Sequence, residues 1–271
     1  MKKSLILLLL AASVSAVSAA SLKVNLGSAS SGDDWIGVAT TKNAPTGGQA
    51  NAYKSITSLS KDGGASSSSL VLGNLGGSDV TLSMSYKSTA SASAGYLDGT
   101  NNSSPLNPVF SESMAQSSIT DRCNGVKGRE VGLQFTLGGL AANTTYYLYV
   151  LGNSGLSTNK TSMTLSGGVT DITGNLMDGY EGAGSVSGST FQGAAGFVGG
   201  VGMEWAFTTN DSGQVTLTYE RAIAGTNDVV SADIALNGFI LATAPIPEPV
   251  TASLGLMGLA CLMMRRRRIQ G

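Results

Sequence analysis

The chain has 271 residues, of which 16 are basic, 17 are acidic and none is histidine. The lack of histidine excludes Ser-His-Asp and Cys-His nucleophile pairs and the usual zinc sites. The two cysteines are Cys123 and Cys261, and the second lies in an apolar segment near the end of the chain. We therefore expect no disulfide within the body of the protein, which must be stabilised by packing.

The first twenty residues are typical of a secretory signal peptide. Lys2 and Lys3 give a positive start, residues 5–10 are all apolar, and Val17-Ser18-Ala19-Ala20 is a run of small residues that signal peptidase accepts. The alternative is an uncleaved anchor, which needs roughly 18 apolar residues. Serines and alanines interrupt this run too early for that, so we predict a signal peptide at residues 1–20.

The charge of the body makes nucleic acid an unexpected partner. Six of the 16 basic residues belong to the first three residues and the C-terminal arginines, and one of the 17 acidic residues is in the tail. The rest of the chain therefore has ten basic and 16 acidic residues. The remaining Lys and Arg residues are scattered, whereas binding to nucleic acid needs a basic cluster.

Short strands separated by Gly, Ser, Asn and Asp are the main pattern of residues 21–242, which we predict to form one domain. Three segments alternate apolar and polar residues strictly, as half-buried strands do: 22–26, 80–86 and 214–219. Six further segments favour strands with less strict alternation: 69–72, 131–137, 145–151, 162–165, 203–208 and 234–241. The predicted fold is all-β, a single antiparallel β-sandwich built as a meander or jelly roll. The glycine-rich segments 179–188 and 193–202 are predicted to be loops.

Residues 243–271 combine three features of a C-terminal membrane stop. A proline-rich linker leads to Pro247-Glu248-Pro249, the segment 250–264 is apolar, and four arginines follow it, Arg265, Arg266, Arg267 and Arg268. Apolar side chains partition into lipid, whereas guanidinium groups resist crossing it. Fifteen residues of helix span about 22 Å against a hydrocarbon core of about 30 Å, so we predict one short transmembrane helix.

This three-part tail resembles a PEP-CTERM sorting signal, and Pro247, Glu248 and Pro249 match its motif directly. The resemblance implies export through the inner membrane and recognition of the tail by an exosortase, a membrane-embedded cysteine protease. It also implies that the precursor is anchored in the inner membrane, and that the product reaches the cell surface or an extracellular matrix of exopolysaccharide. The alternative for the tail is a permanent anchor.

The body resembles the jelly-roll sandwiches of many PEP-CTERM surface proteins, which are similar to carbohydrate-binding modules. The likeness rests on the residue pattern of the predicted strands, as in Leu22-Lys23-Val24-Asn25-Leu26 and residues 143–150. Sugars stack on aromatic rings beside carboxylates and amides, and the residues that fit this are Trp35, Tyr96 and Tyr180. Packing in the core is the alternative for each of these rings.

Three functions remain open for the body. The first is binding of a polysaccharide. The second is a structural or adhesive role at the surface without a small ligand, and the third is hydrolysis of glycosides. The third needs two carboxylates facing each other at roughly 5 to 9.5 Å, and the acidic residues available for it are Asp33, Asp34, Asp171, Asp178, Glu181, Glu204 and Glu220. No pattern pairs them, so we expect neither an enzyme nor a cofactor. The segment 171–181 offers oxygen ligands for calcium but departs from the EF-hand spacing, and solvated loop acids are the alternative.

Overall fold

The computed structural model describes residues 20–26, 35–40, 53–56, 69–86, 119–122, 132–154, 161–194, 199–221 and 233–246. Almost all of these residues are in strands, and the helix among them is a single 3₁₀ turn at Glu181–Ala183. The predicted signal peptide up to residue 19, Tyr96, Cys123 and the tail from Pro247 onward lie outside the described residues. Within the described part, no helix is long and apolar enough to cross a membrane.

Fifteen strands make up the described residues. In chain order they are β1 (Ser21–Leu26), β2 (Ile36–Thr40), β3 (Tyr53–Ile56), β4 (Leu70–Leu75), β5 (Ser78–Tyr86), β6 (Ile119–Arg122), β7 (Gly132–Gly138), β8 (Thr145–Ser154), β9 (Thr161–Ser166), β10 (Val169–Leu176), β11 (Gly184–Ser187), β12 (Thr190–Gly193), β13 (Gly199–Thr209), β14 (Val215–Arg221) and β15 (Asp233–Ala242).

The strands form two sheets. One has eight strands in the order β10-β13-β8-β15-β1-β2-β3, with β6 paired to β15 beside β1. The other has seven strands in the order β11-β12-β9-β14-β7-β5-β4. Neighbouring strands run antiparallel, except that β1 pairs with β2 and β2 with β3 in parallel. These two parallel pairs correct the expectation of a purely antiparallel sandwich.

Both sheets bury one face in the same apolar core. Val24 and Leu148 of the eight-stranded sheet and Leu82 and Leu217 of the seven-stranded sheet are fully buried members of one cluster. Alternation explains this, because successive side chains of a strand point to opposite faces of the sheet. The architecture is therefore a β-sandwich, as the sequence predicted.

All nine predicted strands are present, but the two glycine-rich segments predicted to be loops contain strand residues. The segment predicted as a loop at 179–188 contains β11, and the one at 193–202 contains the start of β13. The 171–181 segment weighed as a calcium loop begins inside β10. Glycine-rich strands were missed because they carry too few side chains to show a period.

The turn between β7 and β8 contains two residues in left-handed conformations. Gly139 has a φ of +75° and Asn143 a φ of 52°, which are left-handed conformations that these two residue types tolerate. The Asn143 amide also donates to the Thr209 carbonyl at 2.9 Å. The turn thereby ties β8 to the end of β13.

Phe239 of β15 is the clearest single contact between the two sheets. Its ring stacks on Phe135 of β7 with centroids 4.9 Å apart and planes 17° apart, and both side chains are at most 1% exposed. We expect Phe239→Ala to lower the free energy of unfolding by about 3 to 5 kcal/mol, because the cavity cannot collapse between two sheets. Denaturant unfolding measures this loss.

Val71→Ala is the matched control, because this side chain is 49% exposed on β4. It should change the stability by less than about 0.5 kcal/mol. Equal losses in the two variants would contradict the shared core.

Candidate functional site

The outward face of the eight-stranded sheet carries a row of side chains that crosses four neighbouring strands. Strand register sets Glu204 of β13 opposite Tyr149 of β8, Tyr149 opposite Ile240 of β15, and Ile240 opposite Lys23 of β1. The residues next to them, such as Leu148, point into the core. The row therefore faces away from the sandwich interior.

A second apolar cluster lies on this outward face. Its buried members are Tyr149, Leu151, Met177, Tyr180 and Ile240. Partly buried residues pack against it, namely Trp35, Tyr147, Leu176 and Ile246. We call these nine residues the outer-face cluster. An outward face with this much apolar and aromatic surface differs from an ordinary solvated sheet face.

Tyr180, one of the predicted glycan contacts, lies within this cluster with its side chain 3% exposed. It covers Gly202 of β13, where an added Cβ would come within 2.6 Å of the Tyr180 ring. Met177 anchors the same loop, since its amide donates to the Gly202 carbonyl at 3.0 Å. Burial raises the pKa of Tyr180 to about 12. In this structure the ring packs against the other residues of the cluster and exposes almost no surface to solvent.

Trp35, a second predicted contact, lies at the rim of the cluster and is partly buried. It directly precedes β2, which pairs with β1, and the Lys23 ammonium is 5.9 Å from the centroid of its ring. That distance suits a cation–π contact. The structure thus brings Trp35 and Tyr180 into one cluster, while Tyr96 lies outside the described residues.

Tyr149 holds the centre of the site through its hydroxyl group. This group accepts a hydrogen bond from the Ile246 amide at 2.9 Å and donates one to the Glu204 carboxylate. Burial raises the pKa of Tyr149 to about 12, the Ile246 hydrogen bond opposes this rise, and the charge and hydrogen bond of Glu204 add to it. Tyr149 is therefore neutral at ordinary pH, and it links three strands to the segment after β15.

Of the acidic residues weighed for glycoside hydrolysis, Asp33 and Asp34 lie outside the described residues, and the others are dispersed. Glu204 lies on the outward face of the eight-stranded sheet, and Glu220 lies on the opposite side of the sandwich, since its neighbour Tyr219 is buried in the core. Asp171, Asp178 and Glu181 are exposed. Two carboxylates on opposite faces of a sandwich cannot act on one bond.

The exposed Glu181 stabilises its own loop. Its carboxylate accepts a hydrogen bond from the Gly179 amide at 3.1 Å, and hydrogen bonds from backbone amides hold its pKa below the usual value. Among the residues that the structure describes, no three Asp, Glu, Cys or His side chains are grouped closely enough to hold a metal ion.

The outward face of the seven-stranded sheet is different in chemistry. Its side chains are mainly hydroxyl and amide groups that bond to one another, as Thr136 does with Thr216 at 2.9 Å and Gln134 with Thr218 at 3.0 Å. One outward face is therefore aromatic, and the other consists mainly of hydroxyl and amide groups.

Sequence reasoning did not single out Tyr149, Tyr147, Lys23 or Ile246. A signal for the first two exists, because Tyr147 and Tyr149 alternate with Leu148 and Val150 along β8. In a half-buried strand that alternation places one set in the core and leaves the other outside. Nothing local marks Ile246, whose contact with Tyr149 spans 97 residues of chain.

No family model and no curated protein matches this chain. Among solved structures it is similar to TmCBM61 in complex with β-1,4-galactotriose, with 9% identity over 59% of this chain and 86% of the other and a TM-score of 0.34. It is also similar to the enzymatically active domain of tailspike protein 4 of bacteriophage CBA120, with 10% identity over 80% of this chain and 30% of the other and a TM-score of 0.34. A third is a Bacteroides thetaiotaomicron protein assigned to sugar binding, with 8% identity over 59% and 87% of the two chains and a TM-score of 0.31. Superpositions with TM-scores of 0.31 to 0.34 carry no ligand or activity over to this chain.

The raised pKa of Tyr149 predicts how stability depends on alkaline pH. Its folded pKa of about 12 exceeds the ordinary value of 10.0, so the unfolded chain ionises first as the pH rises. Its contribution to stability is complete below pH 10 and is lost as the pH approaches 12. Tyr149→Phe should therefore lose less stability than the wild type between about pH 9 and 11.5, as denaturant unfolding at both pH values will measure.

Gln192→Ala is the control, because this exposed position of β12 lies in the other sheet and the variant keeps every tyrosine. Its alkaline loss should match that of the wild type. An alkaline loss in Tyr149→Phe as large as that of the wild type would contradict the buried, neutral hydroxyl.

Proposed function

We propose that this chain is an exported surface or matrix protein whose sandwich binds polysaccharide on the outer-face cluster and whose tail is a PEP-CTERM sorting signal. The binding part depends on one observation: the partly buried rings of Trp35 and Tyr147 lie on a packed apolar base on the outward face of a sheet. The tail and its destination depend on the order of its three parts in the sequence.

The chemistry of the cluster suits a sugar chain. The apolar face of a pyranose ring stacks on an aromatic side chain, and neighbouring polar groups bind its hydroxyls. Here the Lys23 ammonium can donate to a sugar hydroxyl and the Glu204 carboxylate can accept from one, and both belong to the row beside the rings. Because Tyr180 and Ile240 are buried beneath the rim, the rings are held in place before a ligand binds. Such preorganisation reduces the entropy that binding costs.

The positions of the two ends of the body suit export and sorting. Ser21 of β1 pairs with Ala242 of β15, and the Thr243 amide donates to the Ala20 carbonyl at 3.0 Å. The end of the predicted signal peptide and the start of the predicted tail segment are thus adjacent. Both membrane-directed segments would then leave the sandwich at one place, and the rest of its surface would stay accessible.

A structural or adhesive role without a small ligand is the second function, and the seven-stranded sheet favours it. Its outward face, with the Thr136–Thr216 and Gln134–Thr218 pairs, is rich in hydroxyl groups. Such a face can contact a hydrated matrix without a defined binding site. Loss of binding on changing one aromatic residue would distinguish the two functions.

Replacing Trp35 tests the polysaccharide proposal. We expect Trp35→Ala to weaken binding of the full-length protein to a polymer about tenfold or more, since removing a stacking ring costs roughly 1.4 kcal/mol or more. Sedimentation with insoluble cellulose, chitin and xylan measures the bound fraction. Gln192→Ala, on an exposed position of β12 in the other sheet, should bind like the wild type.

Two outcomes would oppose this proposal. If neither the three polymers nor native matrix polysaccharide captures the wild type, the structural role is favoured. Equal capture of Trp35→Ala and the wild type would remove the outer-face cluster from the binding site.

Deleting residues 247–271 tests the proposed destination. The deletion leaves the contacts of Ile246 in place and removes the motif, the apolar segment and the arginines. We expect the shortened chain to leave the cell-envelope fraction and to show no trimming of its C-terminus, because nothing in it halts translocation. Mass spectrometry of envelope and medium fractions reads both outcomes, and unchanged fractionation would contradict the proposed signal.

A further inference from the structure

The segment that follows β15 is attached to the folded body at two points. At the first, the Thr243 amide and hydroxyl both approach the carbonyl of Ala20, the last residue of the predicted signal peptide, at 3.0 Å and 3.4 Å, so this contact belongs to the precursor. At the second, Ile246 is partly buried against the outer-face cluster, and its amide donates to the Tyr149 hydroxyl at 2.9 Å. The linker therefore follows the surface of the sandwich as far as the residue before Pro247.

The Tyr149 hydroxyl is well placed to hold this residue. Its ring is only 3% exposed, and strand pairing fixes it between Glu204 and Ile240. The hydroxyl hydrogen is used in the bond to the Glu204 carboxylate, so an oxygen lone pair points to the Ile246 amide. An acceptor held on both sides loses little conformational freedom when it binds its donor.

The prolines around Ile246 favour the same contact. Pro245 precedes it and Pro247 follows it in the sequence. A residue before proline is restricted to extended conformations, and proline itself has a fixed φ. The free linker therefore samples few conformations, and less entropy is lost when Ile246 packs on the cluster.

We propose that Tyr149 and the other residues of the outer-face cluster hold Ile246 against the body. We call this contact the latch, and it must open before the tail can be processed. The inference rests on the proposed sorting of the tail. A protease binds its substrate as an extended strand on both sides of a recognition motif. The backbone amide and side chain of Ile246, directly beside Pro247, cannot bind the enzyme while they are bound to the body. Tyr149 thus acts as a positioning residue that slows cutting until the linker is released.

The first experiment measures the latch without any processing enzyme. Hydrogen exchange of the Ile246 amide is followed by NMR in the full-length protein in detergent micelles. In Tyr149→Phe we expect this exchange to be at least about fivefold faster, the factor that corresponds to one net hydrogen bond of about 1 kcal/mol.

Tyr146→Phe is a matched control from the same strand. The Tyr146 hydroxyl accepts a hydrogen bond from the Ala141 amide at 3.0 Å, and its ring is in the inner core. The variant removes an equivalent bond to a loop but leaves the linker untouched. Its Ile246 amide should exchange at the wild-type rate.

The second experiment measures the processing of the same three proteins in a bacterium that sorts Pro-Glu-Pro tails. Pulse-labelled chains are followed by mass spectrometry of their C-termini. We expect Tyr149→Phe to be trimmed up to about fivefold faster than the wild type, by the same hydrogen-bond factor, and Tyr146→Phe to be trimmed at the wild-type rate. Ile246→Ala, which weakens the packing and keeps the amide, should also accelerate trimming.

The outcomes separate this inference from the proposed function. An unchanged Ile246 exchange rate in Tyr149→Phe overturns the latch. Faster exchange with unchanged trimming overturns its control of processing, while the proposed sorting stands. If the wild-type tail is never trimmed, the sorting proposal and this inference both fail, although the exchange experiment still measures the contact.

Discussion

The eight-stranded sheet depends on its last strand. Strand β15 pairs with β8 on one side and with both β1 and β6 on the other. Without it the sheet divides into β10-β13-β8 and β1-β2-β3, and each part would expose its core-facing side chains. A register shift between Leu236 and Gly238 allows Leu236 and Phe239 both to point inward. This irregularity explains why the segment does not alternate strictly although it is central to the sheet.

The outer-face cluster shows how a sheet that is needed for folding can also present the surface that we propose for polysaccharide binding. Each of its central residues has a core residue as its neighbour in sequence, so the rigidity of the interior extends to the outward side chains. Gly202 provides room for the Tyr180 ring, and that ring in turn closes one end of the cluster. Trp35 and Tyr147 are left at the rim, where a ligand can reach them.

Apolar alternation was sufficient to predict the fold class and nine strands, because it reports directly on which face is buried. It did not find β2, β3, β6, β10 or β12, in which large apolar side chains are few or do not alternate with polar ones. It also missed β11, where Gly184 packs so closely on Phe191 that no larger side chain fits. Trp35 and Tyr180 were proposed as glycan contacts because each ring stands beside acidic residues in the sequence. Their meeting on one face, and the part of Tyr149, depend on pairings between distant strands that no local pattern contains.

The late position of β15 has a consequence for the order of events during biosynthesis. A chain made from its N-terminus cannot complete the larger sheet until β15 has been added, which ends at Ala242. Contacts that close such long loops form slowly and leave strand edges unpaired in the meantime. Prematurely terminated products would lack the central strand altogether and would expose apolar surface to chaperones and proteases.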